Sequence, residues 1–478
     1  MSARDWRTPA GIALLALAPR LVLAFVTFGS VDIVNDVRNT LRLLGGGESI
    51  TPYLPGGIDL LLWIGGVAAF HTAIPVAFAY KMFVVVADAA IAVLLAARET
   101  KLGVLYALAP VPIVICAVHG QWDALFLCAL LLAVMVADER PLTAGVAVAL
   151  SIVAKPIALP LIPLFFRRDK QHATLFIGGL AVTGVVYLLL LTITKHPLTL
   201  QSLEGIVHYA GGGVQLFGLP YRPPRLWTLA PIALLLVLQW RGRLTRAESI
   251  LIFFGITLGV SGLSAQYLCW IVPFAILCGR LRFHALYTAA AGAFLILYYQ
   301  SPFVNLSNIE NLGTFAFLRP LAFLSPPMPD PARTRAIVQI LGNWCIPLLC
   351  LGFAAWWLWR PKAAAPAPPA RPAMAAPLLL LAIIAIATAW AALQPRVPVD
   401  TFGARIRQKI NAYDVVLYRG PGLNNPRENV WIAQSFVDPS VGNPLINAST
   451  LGILWVAAAA LHAALQRRRS RSLQRTTS

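Results

Sequence analysis

The chain has 478 residues, 58% of them hydrophobic and only 12% charged. A water-soluble domain so composed would have too little polar surface to cover itself. The formal charge of +19 does not point to nucleic acid, because Lys and Arg stand in short clusters between apolar runs rather than in a stripe interleaved with polar residues. That placement follows the positive-inside bias of cytoplasmic loops, so the composition describes an all-α polytopic membrane protein in contact with membrane lipids.

The first apolar run, 9–28, has no small-residue cleavage site behind it and reads as an uncleaved first span. It leaves into a loop holding Asp32, Asp36, Glu48 and the run Gly45, Gly46, Gly47, acidic and therefore placed outside. The next apolar run, 58–70, is short and follows Pro52-Tyr53-Leu54-Pro55-Gly56-Gly57, which predicts an interfacial or re-entrant helix instead of a crossing. With that parity, 77–97 passes inward to Arg98-Glu99-Thr100-Lys101, 104–118 passes outward, and 124–136 returns to Asp138-Glu139-Arg140. The pair 142–154 and 157–166 follows, ending on Arg167-Arg168-Asp169-Lys170.

Run 175–193 leads out to a loop that closes on Arg225, and 226–240 comes back to Arg241, Arg243 and Arg246. Runs 250–264, 268–278 (with Arg280 and Arg282 behind it) and 285–299 continue the alternation to a loop over 300–335. Run 337–359 ends on Arg360-Pro361-Lys362, and an Ala/Pro-rich stretch follows as a semi-rigid connector. Run 378–393 crosses out, and 451–465 crosses back to Arg467-Arg468-Arg469.

The expectation is therefore a bundle of about fourteen spans with both termini cytoplasmic. Residues 1–360 form a transmembrane module with outer loops 29–76, 194–225 and 300–335. The linker is 361–377, and a C-terminal two-span unit, 378–478, encloses an outer polar segment, 394–449. All six cysteines lie in apolar segments and read as packing residues.

Acids at membrane depth are costly, which makes each a functional candidate. Asp32 and Asp36 are four apart, so one helical turn puts both carboxylates on one face; solvated loop acids or caps of a helix over 37–44 are the plain alternative. His119-Gly120-Gln121-Trp122-Asp123 closes one span and opens the next. Capping accounts for Asp123 alone, whereas the cluster as a whole can stack on and hydrogen-bond a sugar or a phosphate. Lys155, before Pro156, suits either snorkelling to headgroups or pairing with phosphate. Asp88 lies two turns after Lys81 on one helix face and reads as a helix-contact acid. Gln266 and Tyr267, with Trp270, lie at an outer boundary where an aromatic belt explains the rings but not the Gln. The outer loop with His208, Gln215, Tyr221, Arg222 and Arg225 carries positive charge against the general trend, which suits an anionic ligand. Walker loops, dinucleotide-binding glycine patterns and zinc-type spacings are missing, so the chemistry points to a membrane-borne activated substrate.

In serial order these segments resemble the GT-C superfamily of polyprenol-dependent glycosyltransferases, and within it the bacterial relatives of the GPI mannosyltransferase I catalytic subunit. The likeness runs through Asp32 and Asp36, the glycine turn, Pro52 to Pro55, Tyr80-Lys81-Met82-Phe83, Asp88, Ala109-Pro110-Val111-Pro112, His119 to Asp123, Lys155-Pro156 and Gln266-Tyr267-Leu268-Cys269-Trp270. It covers roughly residues 10–280, and the acidic motif departs from it in spacing: Asp32-Ile33-Val34-Asn35-Asp36 replaces a tight Asp-x-Asp. The outer segment 394–449 has no counterpart in it.

What the resemblance implies is an inverting transfer of a hexose such as mannose from a polyprenyl-phosphate sugar to a glycan, lipid or protein acceptor. The reaction would take place at the outer face of a bacterial inner membrane. Asp32 matches the family's catalytic acid, with Asp36 as helper. Lys155, Arg222 and His119 are candidates for the donor phosphate, and Gln121, Trp122, Asp123, Gln266 and Tyr267 for sugar or acceptor. No obligatory metal is expected, although two carboxylates and a phosphate could hold a divalent cation. A flippase of lipid-linked sugars and a non-catalytic subunit are the competing classes.

Overall fold

The computed structural model describes residues 8–26, 31–44, 58–167, 169–193, 215–216, 219–220, 226–260, 265–300, 336–337, 339–359, 375–395, 398–411, 415–421 and 429–435. It is helical throughout, apart from two short antiparallel strand pairs. In chain order the first helices are α1 (Pro9–Val26), α2 (Val31–Leu44), α3 (Asp59–His71), α4 (Val76–Arg98), α5 (Thr100–Ala107) and α6 (Pro110–Ile113), the last running into a π turn, Val114–His119. Next come α7 (Asp123–Val136), α8 (Pro141–Ala154), a 3-10 helix (Pro156–Phe165) and α9 (Lys170–Ile193). Strands β1 (Gln215–Leu216) and β2 (Leu219–Pro220) precede α10 (Leu226–Trp240), α11 (Arg246–Val260), a 3-10 turn (Ala265–Cys269), α12 (Ile271–Leu277) and α13 (Leu281–Gln300). The chain continues through a π turn (Leu341–Cys345) into α14 (Ile346–Trp359), then α15 (Ala375–Ala392), α16 (Val399–Asn411) and a hairpin of β3 (Val415–Pro421) and β4 (Asn429–Ser435).

Among the described residues three helices are long and apolar enough to cross a bilayer by themselves: Val76–Arg98, Lys170–Leu189 and Leu341–Trp359. The bent pair Thr100–Ala107 and Pro110–His119, which turns by 49°, would make a fourth. The expected count of about fourteen exceeds this, because Pro and Gly interrupt the apolar runs and leave helices of 10–17 residues. Run 157–166, expected as a full span, is a 10-residue 3-10 helix with Pro160 and Pro163 inside it. At about 2 Å rise per residue it extends about 20 Å, short of the hydrocarbon core. Run 58–70 forms the short helix its length predicts, 13 residues or about 20 Å. Of the connector 361–377 only 375–377 are described, as the first residues of α15, and the run 451–465 lies outside the described residues.

Helix α4 is the hub, packed on α1, α3, α5, α7 and α15. Its apolar sequence carries no Gly or Pro, and most of its length is buried. Helices α8 and α9 meet backbone to backbone at two glycines: a Cβ on Gly145 would stand 2.1 Å from the Phe176 carbonyl oxygen, and one on Gly179 2.2 Å from that of Leu142. Such small-residue crossings are how helices associate where lipid removes the hydrophobic drive.

Asp88 is pinned at the centre of this packing. Its carboxylate accepts from the Arg20 guanidinium and, at 2.5 Å, from the Tyr106 hydroxyl. Arg20 also donates to the carbonyls of Ala16 at 2.9 Å and Ala107 at 2.7 Å. Ala107 ends α5 just ahead of Pro110, a residue with no N–H to continue the helical ladder. The guanidinium thus supplies a donor at a proline-made break, where lipid supplies none.

At one end of the bundle Asp138 meets Arg167 and Arg246, each at 3.3 Å, and Glu248 meets Arg280 at 2.9 Å. The guanidinium carbon of Arg280 also stands over Trp357, 3.2 Å from the ring centre. Residues 119–123, 155 and 265–270 occupy the opposite ends of the helices that these pairs join. Five cysteines are buried or half-buried, as packing residues are; Cys345 is exposed.

Candidate active site

Helix α2 reads VDIVNDVRNTLRLL. Ile33, Asp36, Val37 and Thr40 recur at helical spacing, and all four are buried, so the Asp36 carboxylate is carried on the inward face by its apolar neighbours. Asp36 is therefore neither a solvated loop acid nor a cap at residue 37, because the helix begins at Val31. Thr40 Oγ1 lies 2.9 Å from the Asp36 carbonyl oxygen and 3.2 Å from that of Leu62 in α3, and it accepts from the Tyr80 hydroxyl at 2.7 Å. This joins α2, α3 and α4 behind the acid. Asp32 lies in the first turn of α2, and its side chain is outside the described residues.

The cluster 119–123 comes to α2 through an unusual backbone. Pro110 and Pro112 start a helix that loosens into a π turn, and Gly120 closes it in the left-handed region at φ 83, its N–H bonded to the Ile115 carbonyl at 3.1 Å. A Cβ at Gly120 would stand 2.8 Å from Ile33 Cδ1 and 3.2 Å from both Cγ and Cε of Lys81, so both the conformation and the close approach require glycine. Beyond this turn the Trp122 indole N–H donates to Asp36 Oδ2 at 3.1 Å, joining residues 86 apart in the chain. His119 and Gln121 are buried beside it.

The N-cap position of α7 belongs to Trp122, and Asp123 is the first residue of the helix. Its Oδ1 accepts from Lys155 Nζ at 2.6 Å and from the Trp270 indole N–H. Lys155 is equally buried, with its ammonium 5.2 Å from the ring centres of both Tyr267 and Trp270 and 5.8 Å from that of Phe126. Snorkelling to headgroups is thus not what Lys155 does here. The second carboxylate oxygen of Asp123 is buried with no hydrogen-bond partner among the described residues, and such an acceptor costs about 1–3 kcal/mol until a donor reaches it.

Two groups that sequence reading kept separate are therefore contiguous: Asp36 with Trp122, and Asp123 with Lys155 and Tyr267. Gln266 is half-buried in the same 3-10 turn as Tyr267. Arg222, with His208, Tyr221 and Arg225, lies outside the described residues. Thr40 is not among the residues the sequence singles out; Tyr80 enters there only through the resemblance, Trp270 as a belt ring and as part of the Gln266 to Trp270 segment, and Lys81 as a face-mate of Asp88. The Tyr267-x-x-Trp270 spacing was the available signal, since three residues bring two rings together, here 4.4 Å apart between centres. Among the described residues no three His, Cys, Asp or Glu side chains gather as a metal site would require.

A helical chain with a buried carboxylate and an aromatic-walled ion pair at one end of its bundle has the parts of a membrane-embedded transferase. Residues 53–215 match the family model of glycosyltransferase family 87, which supports a membrane glycosyltransferase of the GT-C type. The matched stretch takes in Lys81, Asp88, His119 to Asp123 and Lys155, and leaves α2 and the Tyr267 turn outside it. No curated protein and no solved structure matches the chain.

Proposed function

We propose that the chain is an inverting glycosyltransferase that moves a hexose, mannose foremost, from polyprenyl phosphate to an acceptor hydroxyl at the outer face of a bacterial inner membrane. The observation that carries this reading is the hydrogen bond from Trp122 to Asp36, which brings a buried carboxylate to the turn of the matched region that holds His119, Gln121 and Asp123.

In the proposed step Asp36 takes the proton of the acceptor hydroxyl while that oxygen attacks C1 of the sugar. The bond from C1 to the phosphate oxygen breaks, and its electron pair leaves with polyprenyl phosphate. The resemblance gives Asp32 the leading role and Asp36 that of helper; the roles are reversed here because Asp36 is the acid that Trp122 meets at the matched turn, and Asp32, one turn away on α2, becomes the helper acid. A general base of this kind contributes about 10²–10⁴ in rate.

Lys155 has three N–H donors, one of which goes to Asp123, and the others suit a phosphate. His119 and Arg222 complete the phosphate set. The second oxygen of Asp123, which has no partner among the described residues, would accept a sugar hydroxyl, and Tyr267 would offer a ring face. Gln121, Trp122 and Gln266 fill the remaining polar contacts. A divalent cation between the α2 carboxylates and the phosphate is compatible with this arrangement.

The test is purified protein in lipid nanodiscs given polyprenyl-phosphate sugars, with release of polyprenyl phosphate measured for wild type, Asp36→Asn and Asp32→Asn. Loss of turnover in Asp36→Asn with folding retained is the expected result. Unchanged turnover in both variants would remove α2 from the chemistry. A wild type that transfers nothing yet moves lipid-linked sugar across vesicles would replace the enzyme with a flippase.

A further inference from the structure

We infer that α16 is a built-in clamp on α2, and that Phe402 is the residue through which it positions Asp36; the inference rests on the proposed function. Helix α16 reads VDTFGARIRQKIN. Its apolar positions Phe402 and Ile406, four apart, are both buried, while Thr401, Ala404 and Arg405 face out. The helix lies across α2, α3 and α4, and α15, which leads into it, packs on α3, α4 and α7, so the clamp is rooted in the bundle.

The contact with the acid passes through one glycine. The Phe402 ring stacks on Phe70 of α3, with centroids 5.4 Å apart and planes at 15°, and its Cζ lies 3.2 Å from where a Cβ on Gly66 would stand. Thr40 Cγ2 lies 2.3 Å from that same point. Thr40 holds the Asp36 carbonyl oxygen, and Asp36 meets Trp122. Gly403 repeats the contact one residue on, with Leu41 Cδ2 3.5 Å from its Cβ position. Arg405 stands over the Phe70 ring at 5.1 Å and fixes that ring further. A side chain at residue 66 would collide with Thr40 and crowd Phe402, so α2, α3 and α16 converge on this glycine, and a shift of Phe402 is passed to α2. An amphipathic 14-residue helix cannot anchor itself in lipid on all sides, and α16 provides the cover that the matched stretch 53–215 does not contain.

A displacement of about 1 Å at a reacting group costs up to about 10²-fold in rate. Phe402→Ala in the full-length protein is therefore expected to lower kcat by about tenfold to hundredfold while leaving the donor KM within about twofold, because the donor groups sit on other elements. Phe402→Tyr should restore most of kcat. Ile406→Ala, which thins the same helix face but leaves Phe402 in place against Phe70, should change kcat by less than about threefold. If Phe402→Ala fails to fold, Phe402→Leu is read in its place, with a smaller kcat loss and the same unchanged KM expected.

The clamp is refuted if kcat per folded molecule is unchanged in these Phe402 variants, if donor KM rises together with the fall in kcat, or if Ile406→Ala costs as much. A wild type without transferase activity would defeat the enzyme reading and this inference together. An active wild type with an indifferent Phe402 would defeat this inference alone.

Discussion

Two groups of buried charge lie around α4, and they are completed to different degrees. In the Arg20, Asp88 and Tyr106 group both carboxylate oxygens are occupied, and the guanidinium spends its remaining donors on backbone carbonyls. In the Asp123, Lys155 and Trp270 group both donors converge on one oxygen, and the other has no partner among the described residues. The first group sits within helices, the second at helix ends beside Asp36. Burial alone therefore does not single out a reacting acid in a membrane protein. A carboxylate oxygen without a partner among the described residues, at a place where the helices end, marks a ligand contact beside such an acid better than burial does.

The sharpest way to break this contrast is to neutralise one acid in each region. Asp36→Asn should lower transfer by about 10²–10⁴ and hardly move thermal unfolding in detergent. Asp88→Asn should do the reverse, leaving Arg20 buried without its counter-ion at a cost of about 3–5 kcal/mol, with kcat of the folded fraction within a few-fold of wild type. Unfolding temperature and turnover per folded molecule, measured on the same preparations, decide it. If Asp88→Asn abolished turnover in folded protein, the distinction between pin and site would collapse.

Gly120 tests the contrast at a smaller scale. Gly120→Ala meets two penalties: a left-handed residue, costing about 1–2 kcal/mol, and a Cβ in collision with Ile33 and Lys81. Gly279 has φ 67 with nothing within 4 Å of its Cβ position, so Gly279→Ala carries the first penalty alone. Gly120→Ala is expected to lose about 2–3 kcal/mol and about tenfold in turnover, and Gly279→Ala about 1 kcal/mol with turnover intact. Equal behaviour of the two would show that the approach of residues 119–123 to α2 carries no functional demand.

These regions were not equally legible in the sequence. Helical periodicity reports what lies on the same helix. It placed Asp32 and Asp36 one turn apart and set Asp88 beside Lys81, but the partner of Asp88 is Arg20, 68 residues away and inside the first apolar run. Likewise Lys155 and Asp123 stand 32 residues apart, and each was assigned to a different part of a substrate; nothing in either local pattern says that one neutralises the other. Apolar runs were visible because lipid demands them, while their lengths as helices were not. Proline at 110, 112, 160 and 163 changes the helix type or direction without changing hydropathy. The role of 399–411 was hidden for a further reason: an amphipathic segment in a polar stretch shows that it covers something, and only the fold shows that it covers α2.

The smallest effect is expected at the end of the bundle farthest along these helices from the site. Arg167 shares Asp138 with Arg246, and the Arg167 and Asp138 side chains are 51% and 61% exposed. An ion pair that wet contributes about 0.2–1 kcal/mol, and the buried-stemmed Arg246 remains to hold Asp138 when Arg167 is removed. Arg167→Ala should therefore shift unfolding by less than about 0.5 kcal/mol and leave kcat and donor KM unchanged. High salt should erase even that difference, because exposed pairs are screened at ordinary ionic strength whereas Arg20 with Asp88 is not. A clear loss of turnover in Arg167→Ala would mean that the two ends of α7 and α8 are coupled, and the site would then have to be redrawn to include the whole length of those helices.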